Sequence, residues 1–217
     1  MIFFDSQKKT QQFICRMVPK GYCWWLSGIV ASKAELEARH AKYAEHYGTD
    51  LSPDRKAYRK RTGLANAHFI ACRTPLEVLD GGYFWFLLVT DGAGVVRENM
   101  KLMDARTDSG RISWGEDYVL NEATRHRNEG GGTHWSWYLK PQRQRELDNY
   151  VGELLKTEPW ELRAFFEAQC HRPMHHGIRV YLTRLLARAY QNFGRMYPGK
   201  PWPARDPSKP LPIIAGY

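Results

Sequence analysis

Apolar and β-branched residues cluster in GYCWWLSGIVA, residues 21–31, and that pattern predicts a strand. Ser32 and Glu35 follow as an S-x-x-E pair, the capping-box signature of a helix start. The spacing then turns helical from Lys33 to Tyr47, with Leu36, His40, Tyr43 and Tyr47 on one face, and Gly48 closes the helix. LANAHFIAC, residues 64–72, reads as a second strand. After a turn at Asp80-Gly81-Gly82, YFWFLLVT reads as a third, apolar throughout and so expected at the sheet centre, covered on both faces. Asp91-Gly92-Ala93-Gly94 is a turn, and residues 95–110 give no clear element. Short strands are expected at 111–114 and 118–125. HWSWYL, residues 134–139, alternates like a sheet strand, and Asn128-Glu129-Gly130-Gly131-Gly132 before it reads as a flexible loop.

At Pro141 the pattern becomes helical, in pieces of roughly 141–156, 159–170 and 174–195, with Pro159 and Pro173 at the breaks. The last piece places Ile178, Leu182, Leu185, Leu186, Ala189 and Phe193 on its apolar face. Prolines at 198, 201, 203, 207, 210 and 212 predict an extended tail. The expected class is α+β: a mostly antiparallel sheet with one early helix, followed by a helical C-terminal third. Three parts are expected: a sheet-rich, nucleic-acid-binding part at 1–140, a three-helix part at 141–197 packed on it, and an extended Pro-rich tail at 198–217.

Composition sharpens the functional side. The 217 residues carry a formal net charge of +9, a field that favours polyanionic partners. No apolar window is long enough to span a bilayer, so no membrane partner is expected. MIFFDSQKKTQQF lacks the layout of a signal peptide. Cys15, Cys23, Cys72 and Cys170 form no C-x-x-C pair, which argues against zinc-finger spacing and for reduced thiols in a cytoplasm.

Three basic features are candidate binding elements. In RKAYRKRTGLANAHFIAC, residues 55–72, Arg55, Lys56, Arg59, Lys60 and Arg61 are positioned to grip phosphates, with Gly63 allowing close approach of a backbone; a solvated connector would look the same. Arg125, His126 and Arg127 precede the glycine loop, and His134, Trp135 and Trp137 follow it. Trp135 and Trp137 share one strand face, where they either stack on bases or fill the core. Arg184, Arg188 and Arg195 form a stripe on the last helix.

Catalytic signals are sparse. Walker A, G-x-G-x-x-G, G-x-S-x-G and H-E-x-x-H motifs are all missing. Asp80, Asp91, Asp104, Asp108, Glu116 and Asp117 make no metal triad. Cys170, His171, His175 and His176 gather around Pro173 without a carboxylate at matching spacing, so neither a metal nor another cofactor is expected. If the chain cleaved RNA, His126 or His134 would be the general base.

The stretch from Gly21 to Cys72, together with FWFLLVTDGAG and HWSWYL, resembles uncharacterised proteins carried by plasmids and integrative elements of proteobacteria, over most of the chain. The resemblance implies DNA or RNA handling in replication, transfer or element defence, and transfers no catalytic residue. The leading expectation is a non-catalytic, cytoplasmic nucleic-acid-binding accessory protein that works with other protein subunits of a mobile-element or defence complex. Two alternatives stay open: a metal-independent endoribonuclease of ferredoxin-like build, and a protein–protein scaffold.

Overall fold

The structure, a computed structural model, describes residues 1–74, 81–124, 131–209 and 211. Within them the chain forms two compact units, residues 1–112 with 122–135, and residues 113–121 with 136–217. The class is mixed α and β with two mostly antiparallel sheets.

The first unit is built on β1 (Ile2–Phe4), β2 (Trp24–Val30), β3 (Ala67–Arg73), β4 (Tyr83–Val89) and β5 (Met103–Asp104), in the order β1-β3-β4-β2-β5. β4 pairs antiparallel with both β2 and β3, whereas β1 runs parallel to β3. β4 is central, and from Phe84 to Val89 every residue is buried, as its unbroken apolar run demands. β2 and β3 are therefore parallel strands split by β4.

Two crossovers fix the layers. The path from β1 to β2 moves one way across the sheet, and the path from β2 to β3 returns. Right-handed connections then require the two intervening helices to lie on opposite faces. α1 (Gln7–Met17) and α2 (Lys33–Tyr47) obey this. Phe13 of α1 meets His68, while Tyr43 of α2 meets Phe69, the next residue of β3, whose side chain points the other way. Leu36, Tyr43, Phe69, Trp85, Leu87 and Val96 share the core on the α2 side.

The first 61 residues hold three α-helices rather than one. α1 is capped by Ser6, whose Oγ accepts from Lys9 N at 3.3 Å; its polar opening, QKKTQQ, hides the amphipathic period carried by Ile14 and Met17. α2 matches its sequence signals: Ser32 Oγ accepts from Glu35 N, and Gly48 ends the helix at φ 64°. α3 (Pro53–Arg61) was legible only as a charged connector because it has no apolar face and no buried residue. The unassigned stretch contains α4 (Val95–Asn99), β5 and a 3-10 turn at Asp108–Gly110.

The second sheet has the order β6 (Ser113–Trp114), β7 (Tyr118–Thr124), β8 (Thr133–Leu139). In the second unit the helices are α5 (Pro141–Thr157), α6 (Leu162–Gln169), which follows a 3-10 turn started by Pro159, and α7 (His176–Met196). α7 buries Ile178, Leu182, Leu185, Leu186, Ala189 and Phe193, the stripe its spacing predicts. Residues 201–209 form neither helix nor strand, and Trp202 packs its ring against Tyr190 and Phe193. Among the described residues no helix is long and apolar enough to cross a membrane.

Candidate nucleic-acid interface

α3 owes its helical form to its two ends. Ser52 Oγ accepts from Arg55 N, and Pro53 sits at the first helical position, where its fixed φ suits the turn. At the other end Leu64 N donates to Arg59 O at 2.9 Å and Gly63 N to Lys60 O at 3.2 Å, a Schellman closure with Gly63 at φ +74°. Gly63 is thus demanded by the helix stop. Asp54 in the first turn and Arg59, Lys60 and Arg61 in the last turn also complement the helix dipole, at about 0.3–1 kcal/mol each.

The five basic residues then divide into two sets. Lys56 and Arg59 turn inward. Lys56 Nζ donates to Thr49 O at 3.0 Å and to His68 Nδ1 at 3.1 Å, which makes the ring the acceptor. Arg59 clamps Ala65 O with Nε at 3.1 Å and Nη2 at 2.7 Å. These two anchor α3 to the start of β3, so they are corrected from phosphate ligands to fasteners. Asn66 adds a third tie, donating Nδ2 to Lys56 O at 2.8 Å. Burial is the main cause that lowers the Lys56 ammonium, and burial followed by the charges of Lys56 and Lys20 holds His68 down at about 4.

Arg55, Lys60 and Arg61 are exposed, and among the described residues no carboxylate pairs with them. Tyr58, between them, is 61% exposed. The sequence reading missed Tyr58, although its place three residues from both Arg55 and Arg61 puts it on their side of a helix.

Beside α3 the turn 91–94 packs against residues 63–65. Ala65 N donates to Ala93 O at 2.9 Å and Ala93 N to Gly63 O at 3.0 Å. Gly92, at φ +127°, makes this possible: a Cβ there would stand 2.7 Å from Ala65 N. Asp91 begins a charged network that sequence spacing did not suggest. Arg106 binds Asp91 through Nη1 at 3.0 Å and Asp104 through Nε at 2.8 Å, and Trp24 Nε1 donates to Asp91 Oδ1 at 2.6 Å. Hydrogen bonds from Arg106 hold both carboxyls below the usual range. The Arg97 guanidinium lies 3.4 Å over the Trp24 ring and covers it. This network is internally charge-matched and offers little to a polyanion.

The other candidates fare differently. Arg125, His126 and Arg127 lie outside the described residues, as do Asp80 and Gly130. Trp137 is fully buried and meets Trp114 edge-on, so it fills the core and stacks on no base; Trp135 and His134 are half-buried. On α7, Arg188 is taken by Asp148 at 2.6 Å, and the Tyr181 hydroxyl lies 3.1 Å from the same carboxylate. That leaves Arg184 and Arg195 as the exposed ends of an interrupted stripe. Arg184 borders an open cleft of about 500 Å³ with Arg188, Tyr181 and Gln144. Among the described residues no three His, Cys, Asp or Glu side chains converge as a metal site would need.

Comparison with family models, with curated proteins and with solved structures finds no match for this chain.

Proposed function

We propose that the chain binds nucleic acid by its phosphate backbone through the exposed cations of α3, without catalysing a reaction on it. In this reading it serves as a cytoplasmic accessory subunit of a mobile-element or defence complex. One observation carries the reading: three exposed cations, Arg55, Lys60 and Arg61, stand within seven residues with no carboxylate partner among the described residues. Elsewhere exposed cations are often neutralised, as with Arg106, Arg163 and Arg188. Lys56 and Arg59 support the same reading by fixing the helix, so that the three charges are presented on a rigid element rather than on a solvated loop.

The test is the salt dependence of oligonucleotide binding, followed by fluorescence anisotropy. Replacing Arg55, Lys60 and Arg61 together by Glu should weaken binding of all sequences alike. It should also flatten the slope of log K against log salt by about 2–3, because each lost contact removes roughly 0.7–0.9. An unchanged slope in a folded triple variant would move the contact away from α3. Incubation of the same oligonucleotides with the wild-type chain, with Mg²⁺ or with EDTA, should leave them intact. Cleavage abolished by His134→Ala would replace the binding reading with the ribonuclease one.

A further inference from the structure

The aromatic side chains of the first unit are mostly spoken for. Trp24 lies under Arg97, Phe3 meets Tyr83, and Tyr43, Phe69 and Trp85 pack on one another in the core. Tyr58 differs. Among the described residues it is the most exposed large apolar side chain of that unit, and no ring or cation packs against it. Around α3 it lies about 160° from Lys56 and about 100° from Arg59, the two residues whose hydrogen bonds fasten the helix and keep it from turning to bury the ring.

Its neighbours give the ring a chemical context. Arg55 and Arg61 stand three residues to either side of Tyr58, about 9 Å apart along the axis and each about 60° around the helix from it. An open aromatic face between unpaired cations is the combination that binds single strands, where bases are free to stack and the backbone stays within reach of the charges. A duplex presents phosphates and groove edges but keeps its base faces stacked on one another. It would use the cations and leave the ring idle.

We propose that the preferred ligand of α3 is single-stranded nucleic acid and that Tyr58 is its base-stacking residue. The inference rests on the phosphate-contact reading of α3, and its failure is separable from the failure of that reading.

The experiment measures anisotropy of a fluorescein-labelled mixed-sequence oligonucleotide in three forms: single-stranded, annealed to its complement, and as an abasic strand of equal length. The wild-type chain should prefer the single strand over both others. Tyr58→Ala should weaken single-strand binding roughly 5- to 150-fold, the range for loss of one stacked base, and Tyr58→Phe should restore it. On the abasic strand, which keeps its phosphates, wild type and Tyr58→Ala should bind alike. Since Tyr58 is exposed, both variants are expected to fold, and a urea midpoint equal to that of wild type verifies this. Equal binding of single strand and duplex, with Tyr58→Ala unchanged and the Arg55/Lys60/Arg61 variant still losing salt dependence, would overturn the single-strand inference and leave the phosphate contact standing. Loss of neither affinity nor slope in the triple variant would overturn both.

Discussion

Replacing Arg59 by Met separates the anchoring cations of α3 from the exposed ones. The Arg59 guanidinium holds Ala65 O with two hydrogen bonds, and Ala65 is fully buried. Methionine keeps the length and most of the apolar contact of the arginine stem but donates nothing. The loss combines a hydrogen bond from a charged donor, about 1.5–3 kcal/mol, with a buried carbonyl left unpaired, about 1–3 kcal/mol. These overlap, and the arginine is partly solvated, so a net cost of roughly 2–3 kcal/mol is expected. For a chain of this size that lowers the midpoint of thermal unfolding by about 4–12 °C. Arg61→Met, two residues on and exposed, should lose at most its helix-dipole contribution of about 0.3–1 kcal/mol. Urea unfolding followed by circular dichroism gives both values under one set of conditions. Equal midpoints for the two variants would refute the division of α3 into anchoring and exposed cations, and with it the argument that the helix presents its charges rigidly.

Other consequences follow from the same region. His68 sits at about 4 against a usual value near 6.5, so the unfolded chain binds its proton first. The stability this gives is complete above pH 6.5 and is lost as the pH falls toward 4, by at most ~3 kcal/mol and by less once solvent screening is counted. The difference in unfolding free energy between wild type and His68→Gln should shrink across that window, and parallel pH profiles would contradict the assignment. Gly92→Ala should cost roughly 2–4 kcal/mol, because φ +127° and the 2.7 Å approach to Ala65 N both exclude a Cβ. It should also weaken oligonucleotide binding by displacing the end of α3, whereas Gly132→Ala, strained but with open space around it, should change stability alone.

What the sequence disclosed was local. The capping box at Ser32 and Glu35, the glycine stop at Gly48, the apolar run of β4 and the stripe of α7 are each contained within a few turns or one strand. Their signals did not depend on what lay elsewhere. α3 was legible only as a charged connector, because a helix that buries nothing leaves no apolar period; its Ser52 cap, Pro53 start and Gly63 stop went unread. Which of its cations would be free was not legible at all. That depends on carbonyls at Thr49 and Ala65 and on the ring of His68, brought near only when the sheet forms. The same holds for Arg188, whose partner Asp148 lies forty residues away, and for Arg106, which bridges Asp91 and Asp104. Trp137 shows the opposite case: strand alternation put it on one face, but only packing decides whether that face is core.

The order of strands also sets a schedule for synthesis. β4 occupies the middle of the sheet yet follows β2 and β3 in the chain, so neither earlier strand has its central neighbour while the ribosome is still upstream of residue 89. The end of α3 waits longer, since Ala65 N finds its acceptor only at Ala93 and Asn66 N at the Thr90 hydroxyl. A nascent chain that stalls before Thr90 therefore carries its densest positive charge on a helix without its full set of supports. The 91–94 turn is thus the last of these supports to be synthesised, after Thr49, Ala65 and His68, which Lys56 and Arg59 already reach.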